Sequence, residues 1–192
     1  MKGYLFAFIC LSIMSCNESG KKVNEVVNIA IDGSSAELQA ENAKLKEYLS
    51  LHYQNLLKSS TDTVLKSRAN ILFKEISQTD SFIDSLQDVV KQLNREDVEN
   101  VKVIKNFLAE GNLGDSLHNC LNNTFQQAKD FSVNQEQKKA IDSIKTNMLN
   151  PMRTGKSWQE ELFGMTNPLG ASLILFGLQK ELYNVGKIAF EQ

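Results

Sequence analysis

Apolar side chains return along this chain every three or four positions, the spacing that gathers them on one side of an α-helix. The clearest run is Leu65, Ala69, Leu72, Ile76, Thr79, Ile83, Leu86, Val90 and Leu93, with a single polar member. It predicts one long helix over about 62–94, capped by Thr61 or Asp62 and about 50 Å long at about 1.5 Å per residue. So narrow a stripe suits a bundle spine or a coiled-coil seam. A weaker stripe precedes it: Leu38, Asn42, Leu45, Leu49, His52 and Leu56, on a helix expected to start at Ser34 or Ser35 and end near Lys58. Asn42 and His52 imply that this seam is partly wet or near an edge. Val23 to Ile31, apolar and β-branched, reads as a lead-in to that helix.

Downstream the pattern shortens. Val98, Val101, Ile104 and Leu108 predict a brief helix ended by Gly111 and Gly114. Asp115 is expected to cap the next, with Leu117, Leu121, Phe125 and Ala128 inward. Ser132-Val133-Asn134-Gln135 has capping-box form ahead of Ile141, Ile144 and Met148, and Asn150-Pro151 stops that helix. Ser157-Trp158-Gln159-Glu160 has the same form and opens a short turn. Asn167 and Pro168 make an N-cap and N1 pair for a last helix whose first half, apolar nearly all round, is expected to be the most buried piece. The predicted fold is all-α: a bundle of about six helices, with one long central helix at about 62–94 and a buried C-terminal helix at 168–190.

The first residues follow a different rule. Lys2 precedes an apolar run from Tyr4 to Met14, which is about half the roughly 20 residues a bilayer span needs. That is the layout of a signal peptide. Ile13-Met14-Ser15-Cys16 resembles a bacterial lipobox, which makes Cys16 the expected lipid-attachment residue and first mature residue, held to a membrane by its acyl chains. The expected organisation is therefore a signal peptide at 1–15, a lipidated tether and lead-in at 16–33, and a helical bundle domain at 34–192. Localisation follows: anchored to the cell membrane or outer membrane and facing the periplasm. Cleavage removes Cys10 and acylation occupies Cys16, so Cys120 is left as the one thiol and no internal disulfide is expected.

Composition adds limits. With 42% hydrophobic residues in 192, the chain can bury a core and is not a disordered polymer. A net charge of −2 argues against nucleic acid as a partner, since displacing phosphate counterions needs a basic face. Thr154-Gly155-Lys156-Ser157 ends like a phosphate-binding loop, but Asn150 stands where the pattern needs its first glycine. His118 and Cys120 are two apart on a helix and point about 200° away from each other, so they cannot share a metal. Asp80, Asp84 and Asp88 share a helix face and read as a solvated flank. Trp158 and Phe163, near Pro168, read as core or as a partner-docking patch. No catalytic residue, metal site or cofactor is expected, and hence no enzyme.

Trp158, Phe163-Gly164-Met165, Pro168-Leu169, Ala171, Leu175, Leu178-Gln179, Glu181 and Asn184 resemble the end of the N-terminal periplasmic domain of the GldM/PorM proteins of gliding motility and type IX secretion. Ile31-Asp32, the stretch Asp80 to Val90 and the stretch Gly114 to Leu121 follow in similar order. The resemblance implies a helical bundle, able to form a homodimer, that serves as a mechanical or docking part for protein partners of the envelope. This chain departs from the family in its lipobox-like start, where the family has a transmembrane helix, and at Gly186, where the family usually carries an acid. The functional expectation is a membrane-anchored lipoprotein acting by protein–protein contact. The alternative is a helical lipoprotein that holds a small apolar ligand or peptide between helices near Asn42, His52 and Thr79.

Overall fold

The computed structural model describes residues 20–92, 113–149 and 168–191, with side chains from Ser35 onward in the first helix and from Gly170 onward in the last. Among the described residues the chain is all-helical. Five helices follow in order: α1 Gly20–Ser59, α2 Thr63–Gln92, α3 Leu113–Phe131, α4 Gln135–Leu149 and α5 Pro168–Phe190. The brief helix foreseen at Val98–Leu108 and the turn after Ser157 lie outside the described residues, as do Cys16, Trp158, Phe163 and the segment Thr154 to Ser157.

Where the helices begin is decided by local hydrogen bonding. Asp62 caps α2 as foreseen: its Oδ1 accepts from the backbone N–H of Val64 at 2.8 Å and of Leu65 at 3.1 Å. The start of α1 is a correction. The helix is already formed at Gly20 and passes through Ser34 and Ser35, because no proline interrupts residues 20–33 and one helical turn templates the next. Residues 20–33, taken as lead-in, therefore belong to it. At the α3–α4 corner Asn134, not Ser132, is the cap: Gln137 N–H donates to Asn134 Oδ1 at 2.7 Å. Ser132 instead prolongs α3, its hydroxyl donating to Ala128 O at 2.8 Å. Asp115 lies in the first turn of α3 and Gly114 inside the helix, since α3 opens at Leu113. The acid still suits the positive end of the helix.

α1 and α5 run side by side in the same direction: Asn42 meets Gln179, and seven residues further on Leu49 meets Gly186. α2 returns antiparallel to α1, as Lys46 pairs with Asp80 and Tyr53 with Asn70. α3 turns back again along α2, with Thr79 opposite Thr124 and Arg68 Nη2 donating to Asp130 O. The core holds the foreseen stripe of α2, from Ala69 to Val90, with Leu117, Leu121, Phe125 and Ala128 of α3, all buried. Met148 and Ile141 close it from α4.

The centre of the fold is a second correction. α5, not the long α2, packs against each of the other four helices. Its burial runs its whole length and is not concentrated in the first half: Leu182, Val185 and Ala189 are as inaccessible as Ala171 and Leu175. Gly186 makes the closest approach possible. A Cβ there would lie 2.7 Å from Leu49 Cδ1 and 2.8 Å from Ile76 Cδ1, so α1, α2 and α5 converge on a residue without a side chain.

Candidate functional site

Two helical turns from Gly186, the same three helices meet around polar groups. Asp80, foreseen on a solvated flank, is only 3% exposed. It lies one turn from Ile76 and nearly one from Ile83, on the margin of the buried stripe, and three donors converge on its carboxylate. Tyr183 hydroxyl donates to Oδ1 at 2.5 Å, Gln179 Nε2 to Oδ1 at 2.6 Å, and Lys46 Nζ to Oδ2 at 2.7 Å. A carboxylate out of water needs such partners, because burying an unpaired charge is far more costly than burying a neutral polar group.

Gln179 is the node. Its Nε2 donates to Asp80 and, at 2.9 Å, to Asp84 Oδ1; its Oε1 accepts from Asn42 Nδ2 at 3.3 Å and Gln87 Nε2 at 3.4 Å. The carboxamide can sit only this way round, since a flip would set its oxygen against two carboxylates. Asn42 Nδ2 also donates to Phe176 O at 3.0 Å. Asn42 Oδ1 is buried and accepts no hydrogen bond among the described residues. An acceptor buried without a donor costs about 1–3 kcal/mol.

The knot alters the titration of its members. Burial, with the Asp80 hydrogen bond behind it, raises the Tyr183 hydroxyl far above its ordinary value of 10.0. The hydrogen bond to Asp80 raises the Lys46 ammonium above 10.5, against a smaller opposing effect of burial. Both groups thus stay protonated at neutral pH.

Beside the knot lies an open groove of about 260 Å³ between α1, α2 and α5. Gln39, Asn42, Lys46, Asp84, Gln87 and Lys91 line it, with Phe176, Gln179 and Tyr183 as its base. Lys91 donates to Asp88 at 3.3 Å, and Asp84 is exposed.

The other candidates fall elsewhere. Asn42 is buried but lines the open groove, in keeping with a seam that is partly wet or near an edge. Thr79 shares a buried 3.0 Å hydroxyl–hydroxyl hydrogen bond with Thr124. His52 packs on Tyr48 of its own helix, with ring centroids 4.1 Å apart and planes tilted by 32°. Cys120 is free and half-buried, and burial with Glu75 behind it raises its thiol, making it a weaker nucleophile. Pro168 opens α5 as foreseen. Among the described residues no group of three or more His, Cys, Asp or Glu could hold a metal. None of the described helices is long and apolar enough to cross a membrane.

Sequence reasoning missed the Lys46–Asp80–Tyr183–Gln179 constellation. Two signals could have pointed to it: Asp80 borders the apolar stripe, and Tyr183 sits beside the core residue Leu182, where a buried phenol requires a partner. Comparison of the chain with family models, curated proteins and solved structures found no match.

Proposed function

We propose that this chain is a bacterial lipoprotein anchored through Cys16, with a non-catalytic helical bundle that works as an interaction or structural component of the cell envelope. One observation carries the reading. Two stretches of the resemblance to the GldM/PorM N-terminal domain, the specific one from Leu175 to Asn184 and the similarly ordered one from Asp80 to Val90, are joined by hydrogen bonds from Gln179 to Asp80 and Asp84 and from Gln87 to Gln179. Hydrogen bonds that run from one helix to another hold the helices in register. The proposal includes a further helix beyond the five described, a short tether from Cys16 to the start of α1 at Gly20, protein partners in the periplasm, self-association, and a link to gliding motility or type IX secretion.

The test is metabolic labelling with a palmitate analogue, followed by membrane fractionation and in-cell crosslinking. The wild type takes up label, fractionates with membranes and crosslinks to envelope proteins. Cys16→Ala loses label and membrane association while keeping its helical circular dichroism. Continued membrane association of an unlabelled Cys16→Ala protein overturns the anchor.

A second reading, a ligand or peptide held between helices, is favoured by the groove at Asn42. Its lining of carboxamides and charges fits a polar ligand and not the apolar one.

A further inference from the structure

We infer that the end of the bundle where α2 and α3 meet at Arg68 docks a protein segment carrying an aspartate or glutamate between apolar side chains. The inference rests on the interaction reading above and names the chemistry of its partner.

Arg68 is exposed on α2 and held at two points by α3. Its guanidinium lies 5.7 Å from the centre of the Phe131 ring, and Nη2 donates to Asp130 O. Contact with a ring face restrains the group without using its N–H donors. A guanidinium has five such donors, and among the described residues Arg68 pairs with no carboxylate. The acids near it are turned elsewhere. Asp130 Oδ1 accepts from Gln126 Nε2 at 2.9 Å, and Glu75, two turns along α2, acts on Cys120.

Around this cation gather three of the four large apolar side chains exposed among the described residues. Val64, Arg68 and Ile71 share one face of α2 at helical spacing, with Val64 65% and Ile71 50% exposed. Val133, 72% exposed, stands two residues past Phe131. Singly exposed apolar residues are ordinary on a protein surface. Grouped about an arginine, they exclude water from an incoming ion pair, the setting in which interface arginines contribute most.

Charge selects the occupant. A restrained, unpaired guanidinium takes a planar carboxylate through two parallel hydrogen bonds, and exposed Lys74, three residues past Ile71, adds a second cation. A purely apolar segment would bury Arg68 without a counter-charge, and a small anion would leave the valines and Ile71 in water. With Cys16 as anchor, the bilayer lies at the other end of the molecule. α1 starts at Gly20 and runs 40 residues, about 60 Å, and Tyr53 near its far end reaches Asn70, two residues past Arg68.

The experiment places a photo-crosslinking amino acid at Ile71 of the full chain in its own cells. Leu51, the fourth exposed apolar residue, on α1, is the control position. Ile71 gives a discrete adduct to another protein, and the crosslinked peptide carries an Asp or Glu beside the point of attachment. Val133→Asp supplies Arg68 with a carboxylate from an exposed position and lowers the adduct yield about tenfold, while Val133→Lys at the same position keeps it. Equal yields from the two variants, or a crosslinked peptide without an acid, overturn the inference. A crosslinked peptide from this chain itself makes the surface an interface between copies and overturns it too. Adducts at Leu51 with none at Ile71 refute this surface and leave the interaction reading standing. No adduct at either position, in a chain with native circular dichroism, refutes both.

Discussion

α1, α2 and α5 meet twice, about 10 Å apart along their axes at about 1.5 Å per residue, and by opposite means. Around Gly186 they touch through Leu49 and Ile76, hydrocarbon against bare backbone. Around Gln179 they touch through Asn42, Asp80, Asp84 and Gln87, linked by hydrogen bonds. Contact at the first place is non-directional, so a side chain of similar volume serves nearly as well. At the second place each donor faces a particular acceptor, and a substitution of equal volume can still leave a buried group unpaired. The contrast predicts that the apolar contact contributes the larger share of stability and that the knot fixes how the three helices slide and rotate against one another.

Substitutions at one site and then the other test this contrast. Ile76→Ala opens a cavity against Gly186 and Leu49 and should lower unfolding free energy by about 2–5 kcal/mol in urea denaturation. Asp80→Asn keeps shape but turns an acceptor into a donor aimed at Tyr183, Gln179 or Lys46; a loss of about 1–3 kcal/mol is expected. Ile76→Val, the matched small change on the apolar side, should cost only about 0.5–1.5 kcal/mol. If Asp80→Asn proves milder than Ile76→Val, the knot does not hold the register. Lys46→Met should change stability least, by under about 1 kcal/mol, because the ammonium is more than half exposed and water screens the pair.

Alkali separates the two sites without any change in volume. Tyr183 and Lys46 both have folded-state values raised above their ordinary 10.0 and 10.5. The unfolded chain therefore sheds these protons first. Their contribution is complete below about pH 10 and declines as pH rises beyond it. Thermal unfolding followed from pH 8 upward should show that decline, and Tyr183→Phe should flatten it. An unchanged slope in that variant would remove Tyr183 from the account.

Much of the helical layout was legible because it depends on near neighbours. The stripe from Leu65 to Val90, the Asp62 cap and the inward set of α3 all follow from spacing and from one side chain reaching its own backbone. Caps failed where neighbours compete. Ser132 and Asn134 can each end the α3–α4 corner, and the choice turned on Ser132, whose backbone N–H and hydroxyl both donate back to the Ala128 carbonyl. The start of α1 failed because two serines in a helix-compatible stretch are not a command to begin there. Asp80 failed for a deeper reason: its surroundings come from α1 and from α5, about a hundred residues away in sequence.

By itself the sequence determined that the chain coils into helices and which edge of each helix seeks the interior, because a periodicity of three to four residues is a short-range property. Only the tertiary structure decided which polar residues go inside with them. The free energy of burying Asp80, Asn42 or Gln179 is set by donors and acceptors brought from other helices, and pairing across such distances leaves no period along the chain.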